Sequence, residues 1–241
     1  MKFKTLLLFI STTVLLTSCM FTEEIHVRND GSGSYSFKVD MSEMMNSLGE
    51  MSPKDSLKKS EVLDTIVFFK DILEENKDSI AKLDKEDQEI IQALEDLKLH
   101  MQVDEEKGKM LLDFKLDYKD ISELKNMQEK IVKAQALNEK KKEDKSMPSN
   151  SEVDYSFNGK TFSRKVTLKN LSDEQLTEVK EASSFLEGGT YRVIYHFEKK
   201  IKSVSFKNAL ISDDKKTMTI EIPMDSIIKN PKLLDFEVKL K

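Results

Sequence analysis

The chain has no tryptophan, one cysteine, three histidines and few aromatics in 241 residues. Each scarcity excludes something. A single cysteine forms no intramolecular disulfide, so core packing alone must hold an exported fold together. No two histidines stand at metal-ligand spacing, and no second cysteine is there to help them. The missing tryptophan argues against stacking on carbohydrate rings. Basic excess is absent too. The net charge is −5, which leaves no electrostatic footprint for nucleic acid. Catalytic motifs are equally missing. No Gly-x-Ser-x-Gly elbow occurs. Gly159-Lys160-Thr161 imitates the end of a phosphate loop but lacks the earlier glycine, and strands rather than a helix are expected after it.

What is present begins at the N-terminus. Lys2 and Lys4 precede an apolar run, Leu6 to Leu16, broken only by Ser11, Thr12 and Thr13. The run falls short of the roughly 20 residues needed to span a bilayer and fits the apolar region of a signal peptide. It ends at Leu16-Thr17-Ser18-Cys19, where small residues precede the sole cysteine. This arrangement resembles a bacterial lipoprotein signal. The resemblance implies cleavage before Cys19 and acylation of Cys19, with no other site residue assigned. Loss of residues 1–18 removes Lys2 and Lys4 and moves the net charge from −5 to −7. Only Met20, Phe21 and Thr22 separate Cys19 from the first strand-like run, so the folded part should sit close to the lipid.

Beyond the anchor, period-two and helical patterns alternate. Glu24-Ile25-His26-Val27-Arg28 and Ser34-Tyr35-Ser36-Phe37-Lys38-Val39 flank Asn29-Asp30-Gly31-Ser32-Gly33, which predicts a hairpin with a type I′ turn. Asp40-Met41-Ser42-Glu43 then reads as a helix start, with Met41, Met44, Met45 and Leu48 on one face. Val62, Leu63, Ile66, Phe69, Ile72 and Leu73 keep helical spacing and predict a helix from Ser60 to Asn76. A further helix is expected from Lys85 to Leu94, capped by Asp84. Leu97 to Val103 and the run around Leu112 to Tyr118 predict a second hairpin turned at Glu105-Glu106-Lys107-Gly108. Asp120-Ile121-Ser122-Glu123-Leu124 opens a helix to about Asn138.

A third hairpin, Val153–Phe157 with Thr161–Leu168, turns at Asn158-Gly159. Ser172 and Gln175 form the capping box of the helix that follows. Pro223-Met224-Asp225-Ser226 is a fainter version of the same start. These recurrences predict an α+β fold in which β-hairpin–helix units repeat and form antiparallel sheet(s) packed against helices. Four segments are expected: a signal peptide over 1–18, an N-terminal α+β region over 19–138, a mobile charged linker over 139–151, and a β-rich C-terminal α+β region over 152–241. Strands are expected at Thr190–Phe197, Ile201–Phe206, Thr217–Ile222 and Leu233–Leu240.

His26, His100 and His196 each lie in a strand-like run on the face opposite the apolar residues. They are expected to lie far apart, with no shared cavity, so no metal, cofactor or catalytic residue is assigned. The order of lipobox, short tether, strand, Asp30-Gly31-Ser32-Gly33 turn, strand and Asp40-Met41-Ser42 resembles a group of uncharacterised bacterial envelope lipoproteins. More loosely, it is similar to the LppM-like lipoproteins. The resemblance implies a protein held in the bacterial cell envelope by lipid on Cys19. Met20 after the cysteine is not the aspartate of inner-membrane retention, which points to the outer membrane. Glu23-Glu24 resembles acidic surface-export signals or simply begins the first strand. The expected role is a non-catalytic module that binds an envelope protein or a lipid-like ligand. The alternative is an enzyme whose composite polar site is not visible in the sequence.

Overall fold

Met20–Val27 forms strand β1, and its alternation sets the layers. Phe21, Glu23, Ile25 and Val27 point one way, Glu24 and His26 the other, as the pleat requires. The computed structural model describes residues 19–43, 45–46, 62–138, 149–186 and 188–241. Within them the chain is mixed α and β and mostly sheet. Eight strands form one sheet in the order β10-β11-β8-β1-β2-β5-β4-β3, and four form a second in the order β6-β7-β12-β9. The strands after β1 are β2 (Gly33–Asp40), β3 (Val62–Phe68), β4 (Lys98–Asp104), β5 (Lys109–Tyr118), β6 (Ser151–Phe157) and β7 (Thr161–Leu168). They continue with β8 (Thr190–Phe197), β9 (Ile201–Val204), β10 (Leu210–Ile211), β11 (Thr217–Pro223) and β12 (Phe236–Leu240).

The large sheet takes strands from both sides of segment 139–151. Its centre is a parallel pair: β1 lies beside β8, with Glu23 opposite Val193 and His26 opposite His196. This departs from the all-antiparallel expectation, since a pairing so distant in sequence leaves no turn signal. The inner faces of the two sheets meet through aromatic rings. Phe162 of β7 packs edge-on against Tyr195 and Phe197 of β8, at centroid distances of 5.1 and 5.5 Å. Tyr195 also meets Phe236 of β12 at 5.8 Å. Ile25, Val193, Met218, Ile220, Phe162 and Val238 complete this dry layer. Burial of that apolar surface is the main force holding the two sheets together.

The three sequence-predicted hairpins form as β1–β2, β4–β5 and β6–β7. The first turn differs in type. Only Gly31 within it has positive φ, at +89°, whereas a type I′ turn needs two such residues. Arg28 N–H instead reaches Ser32 C=O at 2.8 Å around a three-residue loop, and the Asp30 carboxylate accepts from Ser32. We expect Gly31→Val to cost about 1–2 kcal/mol, because a β-branched residue at this φ is strained. A side chain there also approaches Phe157, whose ring lies 3.8 Å from a Cβ built on Gly31. Chemical denaturation with an unchanged midpoint would refute the assignment.

Two helical expectations and one strand expectation need correction. Val62–Phe68 is a strand paired with β4, and the helix α1 begins only at Phe69 and ends at Glu75. The i, i+3, i+4 pattern of 62–73 spans both, and Val62, Thr65, Ile66 and Val67 are β-branched, which favours the pleat. Asp120 does form a capping box with Glu123, but over a 3-10 turn, Ile121–Leu124. Asn126 with φ +51° interrupts it before the helix over Met127–Asn138. The final segment starts as a 3-10 turn over Pro231–Leu234, not as a strand.

Between α1 and α4, the label used here for Met127–Asn138, lie α2 (Lys77–Ile80) and α3 (Lys85–Gln92). Asp84 caps α3 as its sequence position suggests, accepting from Asp87 N–H. The remaining helices are α5 (Asp173–Phe185) and α6 (Met224–Lys229). Ser172 and Gln175 exchange both capping-box bonds at the start of α5.

Met44, Leu48, residues 1–18 and residues 139–148 lie outside the described residues. The end of the expected linker is structured: Asn150 donates its side-chain amide to Ile228 C=O, and Ser151 begins β6. No described helix is long and apolar enough to cross a membrane.

Candidate functional site

Glu23 occupies an inward position of β1, where its neighbours at i±2 are Phe21 and Ile25. It is fully buried. An isolated carboxylate there would be prohibitively costly, so it must be paired and hydrogen-bonded. Arg164, at an inward position of β7 between Phe162 and Val166, supplies the charge. Its Nε lies 3.5 Å from Glu23 Oε1, and its guanidinium donates to Leu234 C=O at 3.0 Å. Three tyrosine hydroxyls close around the carboxylate. Tyr191 donates at 2.6 Å, Tyr155 at 3.0 Å, and Tyr195 makes a short bond to Oε1. Gln128 of α4 donates to Oε2 at 3.0 Å and to Tyr191 Oη at 2.5 Å. Burial pushes the Glu23 carboxyl up. Arg164 and the tyrosine hydroxyls outweigh that and hold it below the ordinary carboxylate range.

Two polar atoms in this cluster are left over. Tyr35 Oη and Arg164 Nε are buried without a hydrogen bond of normal geometry. Both residues line a cleft of about 950 Å³. Among the described residues its walls are largely apolar. Phe37, Val39 and Leu112 come from the large sheet, Val153 and Val166 from the small one. Met127 and Ile131 of α4, Val179 of α5, and Met224 and Ile227 of α6 form the rest. Tyr35, Gln128, Arg164 and Tyr191 make its polar end. The sequence held a signal for this: Glu23 and Arg164 each occupy an apolar register of an alternating strand.

Cys19 stands one residue before β1, half-buried, with its C=O accepting from Thr190 N–H at 3.0 Å. Burial first, then Asp40 and Glu43, raise its thiol pKa. In register, Phe21 faces Val39, which faces Leu112. All three line the cleft, so the cleft lies at the Cys19 end of the sheet. Glu23 points into the core, so an acidic Glu23-Glu24 export signal is not offered to solvent as a pair.

The histidines do not lie apart as expected. His100 is isolated on β4, 2.6 Å from Asp64 of β3. His26 and His196 are direct partners across the parallel pair, their rings stacked 4.1 Å apart at 11°. Their proximity follows from the β1–β8 register, which no local pattern announces. Both Nε2 atoms face Glu24 Oε1, at 3.4 and 3.1 Å. His196, then burial, then Lys38 act on Glu24, and its pKa falls to about 2.

No protein-family model and no curated protein matches this chain. One solved structure is loosely similar, the folded domain of Mycobacterium tuberculosis LppM determined by NMR. It shares 8% identity at a TM-score of 0.35, over 92% of this chain and 89% of that one. A likeness that weak carries no argument about what the cleft holds.

Proposed function

We propose that this chain is a non-catalytic envelope module, anchored through lipid on Cys19, that holds an amphiphilic, lipid-like ligand between its two sheets. The cleft is the observation that carries the reading. Its volume of about 950 Å³ suits an acyl-bearing molecule, and its apolar walls are bounded by the hydroxyl, amide and guanidinium groups of Tyr35, Gln128, Tyr191 and Arg164 and by the charged Glu129, Lys169, Glu174 and Glu178. The free Tyr35 hydroxyl is a ready partner for a polar head. Proximity to Cys19 adds support, since a lipidated N-terminus would keep the mouth beside a reservoir of amphiphiles. The Glu23 carboxylate is occupied by internal partners, which favours a structural floor over a reacting group. On this reading the helices have a use. Helices α4, α5 and α6 close the cleft from the side that the sheets leave open.

The test uses an NBD-labelled long-chain fatty acid and the full-length lipidated protein in mild detergent. Saturable fluorescence enhancement is expected. Ile227→Glu places a charge on the apolar wall and should weaken uptake by about tenfold or more while keeping the far-UV CD spectrum. Absence of saturable binding by the wild type, or unchanged binding by the folded variant, would sink the reading.

A further inference from the structure

We propose that Glu24, His26 and His196 form a site for one divalent transition-metal ion of the zinc type, on the outer face of the large sheet. This replaces the expectation of no metal, which rested on the histidines being far apart. The site faces away from the cleft and does not depend on it.

The ligand set is built by the β1–β8 register. His26 and His196 are placed opposite each other, and Glu24 lies two residues before His26 on the same face of β1. One donor atom from each lies within 4.8 Å of the others. Tetrahedral zinc with bonds of 2.0–2.1 Å requires donors about 3.3 Å apart. The two Nε2-to-Oε1 separations are 3.4 and 3.1 Å; the two rings stack nearly parallel, so one imidazole must tilt out of the stack to turn both Nε2 lone pairs onto one ion.

Neighbouring groups prepare the donors. Thr217 Oγ1 lies 3.0 Å from His196 Nδ1. It fixes the ring's orientation and can accept the Nδ1 proton, which frees Nε2 as a ligand. Lys38 holds the other Glu24 oxygen, Oε2, at 2.9 Å. Oε1 is thereby left to bind as a single-oxygen ligand. The carboxylate and two neutral imidazoles match zinc, and by the usual order of affinities copper(II) would bind more tightly. A depression of about 270 Å³ lined by Glu24, His26, Asp117 and three lysines, Lys38, Lys98 and Lys115, adjoins the site. It provides room for water as a fourth ligand. Three protein ligands and an open position describe a site that can also accept a donor from a partner.

The experiment is equilibrium dialysis of the full-length lipidated protein against zinc chloride, with metal content read by elemental analysis. Cobalt(II) substitution adds a visible absorption spectrum. The wild type should bind one zinc per chain and give the intense d–d bands of tetrahedral cobalt. His26→Ala changes an exposed side chain and should keep the fold. It should weaken binding by about tenfold or more, and His196→Ala should do the same. His100→Ala, distant on β4, should bind as the wild type does. The proposal is overturned if the wild type takes up no stoichiometric zinc. It is equally overturned if His26→Ala retains wild-type affinity, or if His100→Ala alone abolishes binding.

Discussion

Glu23→Ala should lower the stability of the folded chain by about 3–5 kcal/mol, the usual cost of removing one partner of a buried ion pair. The loss is this large because Arg164 would stay behind, 3% exposed, with its charge unanswered. Tyr155, Tyr191 and Tyr195 would lose their common acceptor as well. The double replacement Glu23→Leu with Arg164→Met is the informative comparison. Removing both charges and refilling the space should recover most of the loss, since paired apolar substitutes at such sites are often neutral or better. Urea denaturation of the wild type and the two variants checks both statements. A single-variant loss under about 1 kcal/mol would mean that the cluster is ornamental.

The same cluster gives a pH dependence of definite sign. The Glu23 carboxyl is held below its unfolded value by Arg164 and the tyrosines, against the opposing effect of burial. Its stabilising contribution is therefore full above the unfolded pKa. It disappears as pH falls through the lowered folded pKa.

Cys19→Ser should abolish lipidation. Metabolic labelling with palmitate should mark the wild type and leave the variant blank, with the variant accumulating as an uncleaved precursor. The expectation rests on Leu16-Thr17-Ser18-Cys19 and on there being no other cysteine to acylate. The structure adds a geometric consequence. Thr190 N–H binds the C=O of Cys19, so Cys19 is itself tied to β8. A variant that still takes up label would place the lipid elsewhere.

Local signals carried most of the fold. Asp-Gly and Asn-Gly mark two hairpins, Asp84 and Ser172 mark two helix starts, and alternation marks the longer strands of the C-terminal half but not the two-residue β10. What failed was non-local or ambiguous. Val62 to Leu73 satisfies a helical period over a segment that is half edge strand, because its apolar residues fit both. Asn126 leaves the helical region without any glycine or proline to announce it. The histidine pair has no local signature because His26 and His196 meet through a parallel register with no turn between the strands. Glu23 and Arg164 were legible in principle, as charges in apolar registers. A third of the residues are charged, so two more within strand runs carry no distinct signal.

The β1–β8 pairing has a consequence for how the chain is made. A strand that leaves the ribosome first must wait for one about 170 residues later. Until then β1 has only β2 beside it, and the Glu23 carboxylate faces water or nothing. Such long-range closure slows folding and prolongs the life of exposed edges. Holding chaperones should therefore capture chains that end after β2 in preference to chains already containing β8.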